Sequence, residues 1–293
     1  MNILLTGGSG FLGSALALSL CEQGHQVALL LRPNSSLDRL KGRASRFEIG
    51  RCQNDAELMG FVAQVRPDAV VHTACSYGRG GETALQVSDA NVRLGLVLLQ
   101  SLARQETPVT FINTGTVLDA NVSPYALSKH QFVQWGCAAA EQSAGKLRFI
   151  NVLLQHMYGP GDDASKFTTH VLRTCYHQEP TLKLTAGEQM RDFIYIEDVV
   201  SAYVTLLNSA DLLDQACDIE VGSGRAPSIR EFVETVHKLT QSRTELQFGA
   251  IPYRANEAMH CQANIERLQT LGWQPVFDLT RGLNKTIELE FSR

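Results

Sequence analysis

Residues Ile3–Leu20, ILLTGGSGFLGSALALSL, run from an apolar strand-like stretch through Gly7, Gly8, Gly10 and Gly13 directly into an apolar helix-like stretch. Glycines at these spacings permit a tight turn, a close approach of backbone to a diphosphate, and close packing of helix on strand. A helix beginning there offers backbone N–H donors and a partial positive charge to phosphate oxygens. A glycine pattern by itself is weak, but this one follows a first strand and opens an apolar helix, the context that gives it meaning. It reads as a dinucleotide-binding turn, with Gly7, Gly10, Phe11, Leu12 and Gly13 as the diphosphate contacts.

Outward from this turn, short apolar runs alternate with helix-length amphipathic segments: NILLT, 11–23, QVALLL, 55–65, AVVHTA, 83–104, VTFINTG, 125–143 and LRFINVLL. Strands that are apolar almost throughout, alternating with helices, imply a parallel sheet covered on both faces, a doubly wound α/β (Rossmann) domain. After about residue 155 the alternation breaks. YGPGDDASKF and LTAGEQMRDF are loop-rich, while SIREFVETVHKLT and ANIERLQTLGW read as isolated helices. The expected organisation is a dinucleotide-binding domain over 1–154, rejoined by about 192–222, and a smaller C-terminal α/β substrate-binding domain over 155–293.

With 293 residues, 44% hydrophobic and 19% charged, the composition is globular. A net charge of −4 and no Lys/Arg run argue against a nucleic-acid or anionic-membrane partner. No basic leader precedes an apolar run of signal length, and no segment approaches the roughly 20 apolar residues that span a bilayer, so a cytoplasmic location is expected. The seven cysteines (Cys21, Cys52, Cys75, Cys137, Cys175, Cys217 and Cys261) are scattered and form no CxxC, which suggests reduced thiols and no metal site.

An acid binding the 2′-hydroxyl of NAD belongs at the end of the second strand, yet VALLLRPNSS places Leu31 and Arg32 there. Arginine pairs with a 2′-phosphate through parallel charge-assisted hydrogen bonds, whereas a carboxylate repels it. NADP(H) is the expected cofactor, with NAD(H) the alternative, and Ser35 and Ser36 add phosphate donors.

In TGTVLDANVSPYALSK, residues 114–129, Tyr125 and Lys129 stand one helical turn apart, downstream of hydroxyl residues. A phenol with a reference pKa near 10 is a poor acid or base at neutral pH, and an adjacent ammonium lowers it. Together with the glycine turn, YGPGD at 158–162 and RDFIYIEDV at 191–199, the chain resembles the extended short-chain dehydrogenase/reductases, the NAD-dependent epimerase/dehydratase family acting on nucleotide sugars. Within that family QHMYGPGDDASKF, LTAGEQMRDFIYIEDVVSAY, ELQFGAIPYRANEAM and LGWQPVFD look like the CDP-abequose and CDP-paratose synthases, which set the C4 hydroxyl of a 3,6-dideoxyhexose.

The resemblance implies Tyr125 as the proton-transferring residue and Lys129 as its partner, which also bonds the nicotinamide ribose. Thr116 is the hydroxyl on the substrate oxygen, with Thr114 the alternative if the strand register shifts. It further implies Ala74 and Cys75 along the cofactor, Ser76, Tyr77 and His156 near the sugar, and Lys166, Arg191, Arg254 and Glu257 at the nucleotide and diphosphate. A homodimer through 83–104 and 125–143 is implied too. Three departures matter. Val117 and Leu118 follow Thr116 where dehydratases carry an Asp-Glu pair, so 4,6-dehydration is disfavoured. Only a short segment separates Thr116 from Tyr125, and Arg51 replaces a common adenine-contacting Asp, either to serve a 2′-phosphate or as a solvated residue. The expected activity is reduction of a nucleotide-sugar C4 ketone; a 4-epimerase and a catalytically silent dinucleotide-binding regulator are the alternatives.

Overall fold

The computed structural model describes residues 1–254 and 257–291. They divide into two compact units, Met1–Leu154 with Val200–Ile219, and Gln155–Val199 with Glu220 onward.

The first unit is built on a seven-stranded sheet. In chain order it comprises β1 (Asn2–Thr6), α1 (Phe11–Glu22), β2 (Gln26–Leu31), β3 (Glu48–Arg51), α2 (Asp55–Val65), β4 (Ala69–His72), α3 (Ala84–Ser88), a π-helical turn (Asp89–Arg93) and α4 (Leu94–Leu102). Then come β5 (Val109–Thr114), α5 (Pro124–Gln142) and β6 (Leu147–Leu154). Strands run β3-β2-β1-β4-β5-β6, each neighbour parallel, and a later strand, β11 (Ala216–Val221), lines the β6 edge. The chain therefore reverses its winding between β1 and β4, the point where open α/β sheets hold ligands beyond their strand ends.

The core follows from the apolar strands. Leu4, Val70, Phe111 and Phe149 are wholly buried and pack against Leu98 and Phe132. The Phe111, Phe132 and Phe149 rings lie 5.5–5.9 Å apart. Helices approach closely because glycine faces those rings: a Cβ on Gly95 or Gly136 would fall 2.1 Å from a ring carbon of Phe132 or Phe149. Each buried Phe contributes about 2–3 kcal/mol through lost hydration.

In the second unit β7 (His156–Tyr158) pairs with β10 (Phe193–Tyr195), β8 (Thr181–Leu184) with β12 (Glu245–Phe248), and β9 (Met190–Arg191) with β13 (His260–Cys261), all parallel. Its helices are α6 (Phe167–Tyr176), α8 (Ile229–Leu239), α9 (Glu266–Thr270) and α10 (Leu279–Phe291), while α7 (Ile196–Asn208) begins here and continues into the first unit. The helix expected over ANIERLQTLGW shrinks to the five residues of α9, which ends before Gly272 at φ +85°. Buried Asp192 organises this unit by accepting from Ser223 N and Oγ, Gly224 N and Ala263 N. Among the described residues no helix is long and apolar enough to cross a membrane.

Candidate active site

The turn after β1 is shaped by its glycines. Gly7 has φ +71°, and a Cβ there would meet Thr73 Oγ1 at 2.6 Å and the Ala74 nitrogen at 2.7 Å. Gly10 N donates to Gly7 O at 2.8 Å, and no side chain caps α1 at Gly10. Such a helix start is suited to an anionic ligand. Ala74 N donates to Thr6 Oγ1, which also bonds buried His72 Nδ1 at 2.8 Å, so the β1 and β4 ends are tied where the turn begins. Burial lowers the His72 imidazole to about 3, leaving it neutral and structural.

The start of α5 is set locally. Ser123 accepts from Ala126 N as N-cap and Pro124 occupies the first turn, a pairing that fixes a helix start. Tyr125 thereby lies in the first turn, with Lys129 one turn on and on the same side. The β5 end delivers the hydroxyls. The buried Thr116 hydroxyl lies near enough to Tyr125 to lower its pKa and accepts from Leu118 N at 3.2 Å, while Thr114 Oγ1 is committed to Tyr203 OH at 2.7 Å. The geometry thus brings Thr116 to Tyr125 and turns Thr114 elsewhere.

Electrostatics at Tyr125 run opposite to the expected lowering. Burial pushes the phenol well above its ordinary range and Cys75 adds to this; the Thr116 hydrogen bond and the Arg79 charge only partly offset them. Lys129, 2% exposed, is itself shifted down by burial. Burial disfavours a phenolate and an ammonium alike, and here it outweighs the neighbouring charges. Tyr125 therefore keeps its proton at neutral pH.

The loop after β4 surrounds this pair. The Tyr77 ring lies 4.9 Å from that of Tyr125 at 36°, and the Arg79 guanidinium sits 5.5 Å over Tyr77. A close tilted ring pair and an overlying cation each add roughly 0.5–1.5 kcal/mol of directional attraction. Ser76 Oγ donates to Glu82 Oε1, and Gly80 N to Glu82 Oε2 at 2.7 Å.

Asn91, wholly buried on the π-helical turn, accepts from Ser76 N at 2.7 Å and donates to Ser76 O and to Ser128 Oγ, each at 2.9 Å. Ser128 Oγ in turn donates to Tyr125 O. The π turn directs one side chain into both the loop after β4 and α5, and such turns recur at functional sites. Replacing Asn91 by Leu orphans the Ser76 backbone groups, with an expected loss of about 2–4 kcal/mol in urea unfolding; a loss below about 0.5 kcal/mol would contradict this clamp.

In the second unit Arg191, buried, donates through Nη2 to Glu257 at 2.5 Å and through Nη1 to Met190 O. Its partner is Glu257, not the neighbouring Asp192 or Asp198; Glu257 N also donates to the carbonyl of exposed Arg254. Lys166 pairs with buried Asp162 at 2.9 Å. The His156 ring packs on Phe193 with Nδ1 unpartnered, and burial, then Arg191 and Lys166, lower it to about 4. A separate open hollow of about 690 Å³, lined by Ser223, Arg225, His260, Gln262 and Asn264 among others, holds none of the residues singled out from sequence. Among the described residues no group of three or more His, Cys, Asp or Glu is arranged to hold a metal.

On the loop after β2, Arg32 and Ser36 are exposed and Ser35 is half-buried. Sequence reading missed Asn91, Arg79 and Glu82, because an isolated Asn in a helix and charges in a loop carry no pattern. Only the fold brings them to Tyr125 and Ser76.

The chain is 29% identical to the CDP-abequose synthase of Salmonella typhimurium, over 98% of this chain and 97% of the relative, and 30% identical to that of Salmonella muenchen, over 99% and 98%. Its fold matches the crystal structure of the Thermotoga maritima UDP-glucose 4-epimerase with UDP-glucose at TM-score 0.86, with 21% identity over 99% of this chain and 98% of that one. A glycine turn at the β1–β4 switch point, a Tyr and Lys on the helix after β5, and a profile match over residues 3–222 place the chain in the NAD dependent epimerase/dehydratase family.

Proposed function

We propose that this protein is an NADPH-dependent 4-ketoreductase of a nucleotide-activated deoxysugar. It takes CDP-4-dehydro-3,6-dideoxy-D-glucose to CDP-abequose or CDP-paratose for O-antigen and related surface polysaccharides. The observation that carries this reading is Tyr125 in the first turn of α5, one turn before buried Lys129 and beside the Thr116 hydroxyl, a phenol that burial keeps protonated and so the acid a ketone reduction requires. Near full-length likeness to CDP-abequose synthases supports the substrate class. Val117 and Leu118, standing where dehydratases carry their acids, support reduction over dehydration.

The residues fit the cofactor. The Gly7–Gly13 turn leaves a cradle that side chains would fill, and Arg32, Ser35 and Ser36 would hold a 2′-phosphate, with Ala74 and Cys75 alongside. Bound NADPH supplies the hydride to the sugar C4. Thr116 and Tyr125 hold the carbonyl oxygen through hydrogen bonds. As the C–O π electrons move onto that oxygen, Tyr125 gives up its phenolic proton, and the ketone becomes a secondary alcohol. Lys129, when charged, stabilises the phenolate until solvent returns a proton. Ser76, Tyr77 and His156 would contact the sugar, and Arg191, Lys166, Arg254 and Glu257 the nucleotide. In this reading residues 1–154 with about 192–222 form the cofactor domain and 155–293 the nucleotide-sugar domain. The enzyme acts in the cytoplasm as a homodimer, a state supported by exposed Trp135 and Leu127 on α5.

The test mixes purified protein with CDP-4-dehydro-3,6-dideoxy-D-glucose and NADPH or NADH, following nicotinamide absorbance and identifying the product sugar by NMR. Stoichiometric oxidation, faster with NADPH, is expected. Likeness to UDP-glucose 4-epimerases, 27% identical over 96% of this chain for that of Neisseria meningitidis, supports a second reading, an epimerase with tightly held NAD. Protein that purifies with bound nicotinamide and leaves added NADPH unoxidised would select that one.

A further inference from the structure

Arg51 ends β3 opposite Leu31 of β2. Its side chain, although exposed, folds back onto the chain. Nη1 donates to the carbonyls of Pro33 at 2.5 Å and Arg32 at 3.2 Å, and Nη2 donates to that of Ser35 at 3.0 Å. All three carbonyls belong to the loop that follows β2, which Ser35 N closes by donating to Arg32 O at 3.1 Å.

The consequence follows from peptide geometry. In a planar trans peptide the N–H points opposite to the C=O. Carbonyls of Arg32, Pro33 and Ser35 collected by one guanidinium therefore turn the following N–H groups outward. Pro33 has none, so the Asn34 and Ser36 amides face away from Arg51. Three partially negative oxygens are drawn in and neutralised, while the Asn34 and Ser36 amides, the Ser hydroxyls and Arg32 face outward as donors. Outward backbone N–H groups beside a guanidinium are donors an anionic oxygen can use. Glu82, whose carboxylate feels the Arg32 charge, is the acid facing this loop from the neighbouring segment.

We infer that Arg51 is a positioning residue for cofactor selection: it holds the 32–36 loop in the shape that accepts a 2′-phosphate without touching the phosphate itself. This rests on the NADP(H) reading above. A planar fork reaches several carbonyls at fixed angles, which a lysine ammonium on a flexible stem does not reproduce.

The test measures Kd for NADPH and NADH by nicotinamide fluorescence, without turnover, on wild type, Arg51→Gln, Arg51→Lys and Arg32→Ala. Hydrogen exchange at Asn34 and Ser36 and the melting temperature are followed in parallel. Arg51→Gln is expected to weaken NADPH about tenfold, with NADH changed less than about twofold. Arg51→Lys should resemble Arg51→Gln, and both should speed exchange at the two amides. A Lys variant that binds NADPH like wild type would show that charge alone matters and overturn the inference. So would equal weakening of both cofactors, or no change. Wild type that binds NADH as tightly as NADPH, with Arg32→Ala leaving NADPH unaffected, would instead reject the cofactor reading, and this inference with it.

Discussion

Tyr125→Phe removes turnover by about a thousandfold or more, since a positioned proton donor is worth about 10²–10⁴ in rate, yet leaves cofactor binding near the wild-type value. The substitution deletes one oxygen and keeps the ring, so the tilted contact with Tyr77 and the N-cap of α5 at Ser123 persist. What is lost is the proton held beside Thr116. Because burial raises the folded-state pKa of this acid, the protonated form persists through the neutral range. Wild-type reduction should stay flat there and fall only as pH rises into the alkaline range, where the phenol ionises. Turnover assays across pH, alongside NADPH titration, check both parts. Retention of more than a tenth of the activity would sink the acid role assigned to Tyr125. If wild type and variant bind NADPH equally and neither turns over any nucleotide-sugar ketone, the silent dinucleotide-binding reading gains instead.

Local chemistry was legible in the sequence; long-range placement was not. The β1 turn is written in adjacent residues, because backbone approach demands glycine at Gly7 and Gly13 and leaves a spacing that can be read. The same holds for α5, where Ser123 and Pro124 announce the helix start that places Tyr125. At the end of β5, Thr114 and Thr116 are both hydroxyl residues and stand two apart, so the strand alone does not choose between them. The choice is made by Tyr203, 89 residues downstream of Thr114. Arg191 offered two acids close by in sequence, and the fold supplied a third, Glu257, 66 residues away. Arg51 read as solvated or ligand-facing, since no local rule says that its fork closes on carbonyls of the preceding strand's loop. The tilt of Tyr125's acidity went the wrong way for a related reason: charge neighbours can be guessed from spacing, whereas burial is a sum over the whole fold.

Gly13→Ala should abolish tight cofactor binding and cost roughly 3 kcal/mol or more of stability, at the upper end for overpacking because the obstacle is main chain. A Cβ at Gly13 would lie 2.1 Å from Gly7 O, 2.6 Å from Gly7 C and 2.9 Å from Thr73 Oγ1. No rotamer relieves a contact with a carbonyl, so either α1 slides away from β1 or the Gly7 turn opens. Gly7 has little room to yield, being at φ +71° with Thr73 and Ala74 against it. Either movement displaces the start of α1 from the turn, and with it the donors a diphosphate would use. Gly24→Ala separates this from ordinary backbone strain. Gly24 also has a positive φ, +84°, but nothing lies within 4 Å of an added Cβ. That variant should lose about 1 kcal/mol from left-handed strain and bind cofactor normally. Thermal melts and NADPH titrations on the two variants give the comparison. Wild-type affinity in Gly13→Ala would mean the turn tolerates a separation of helix from strand, and that close packing there does not serve the cofactor. A loss confined to Gly13→Ala would tie helix-on-strand packing and diphosphate approach to a single missing methyl group.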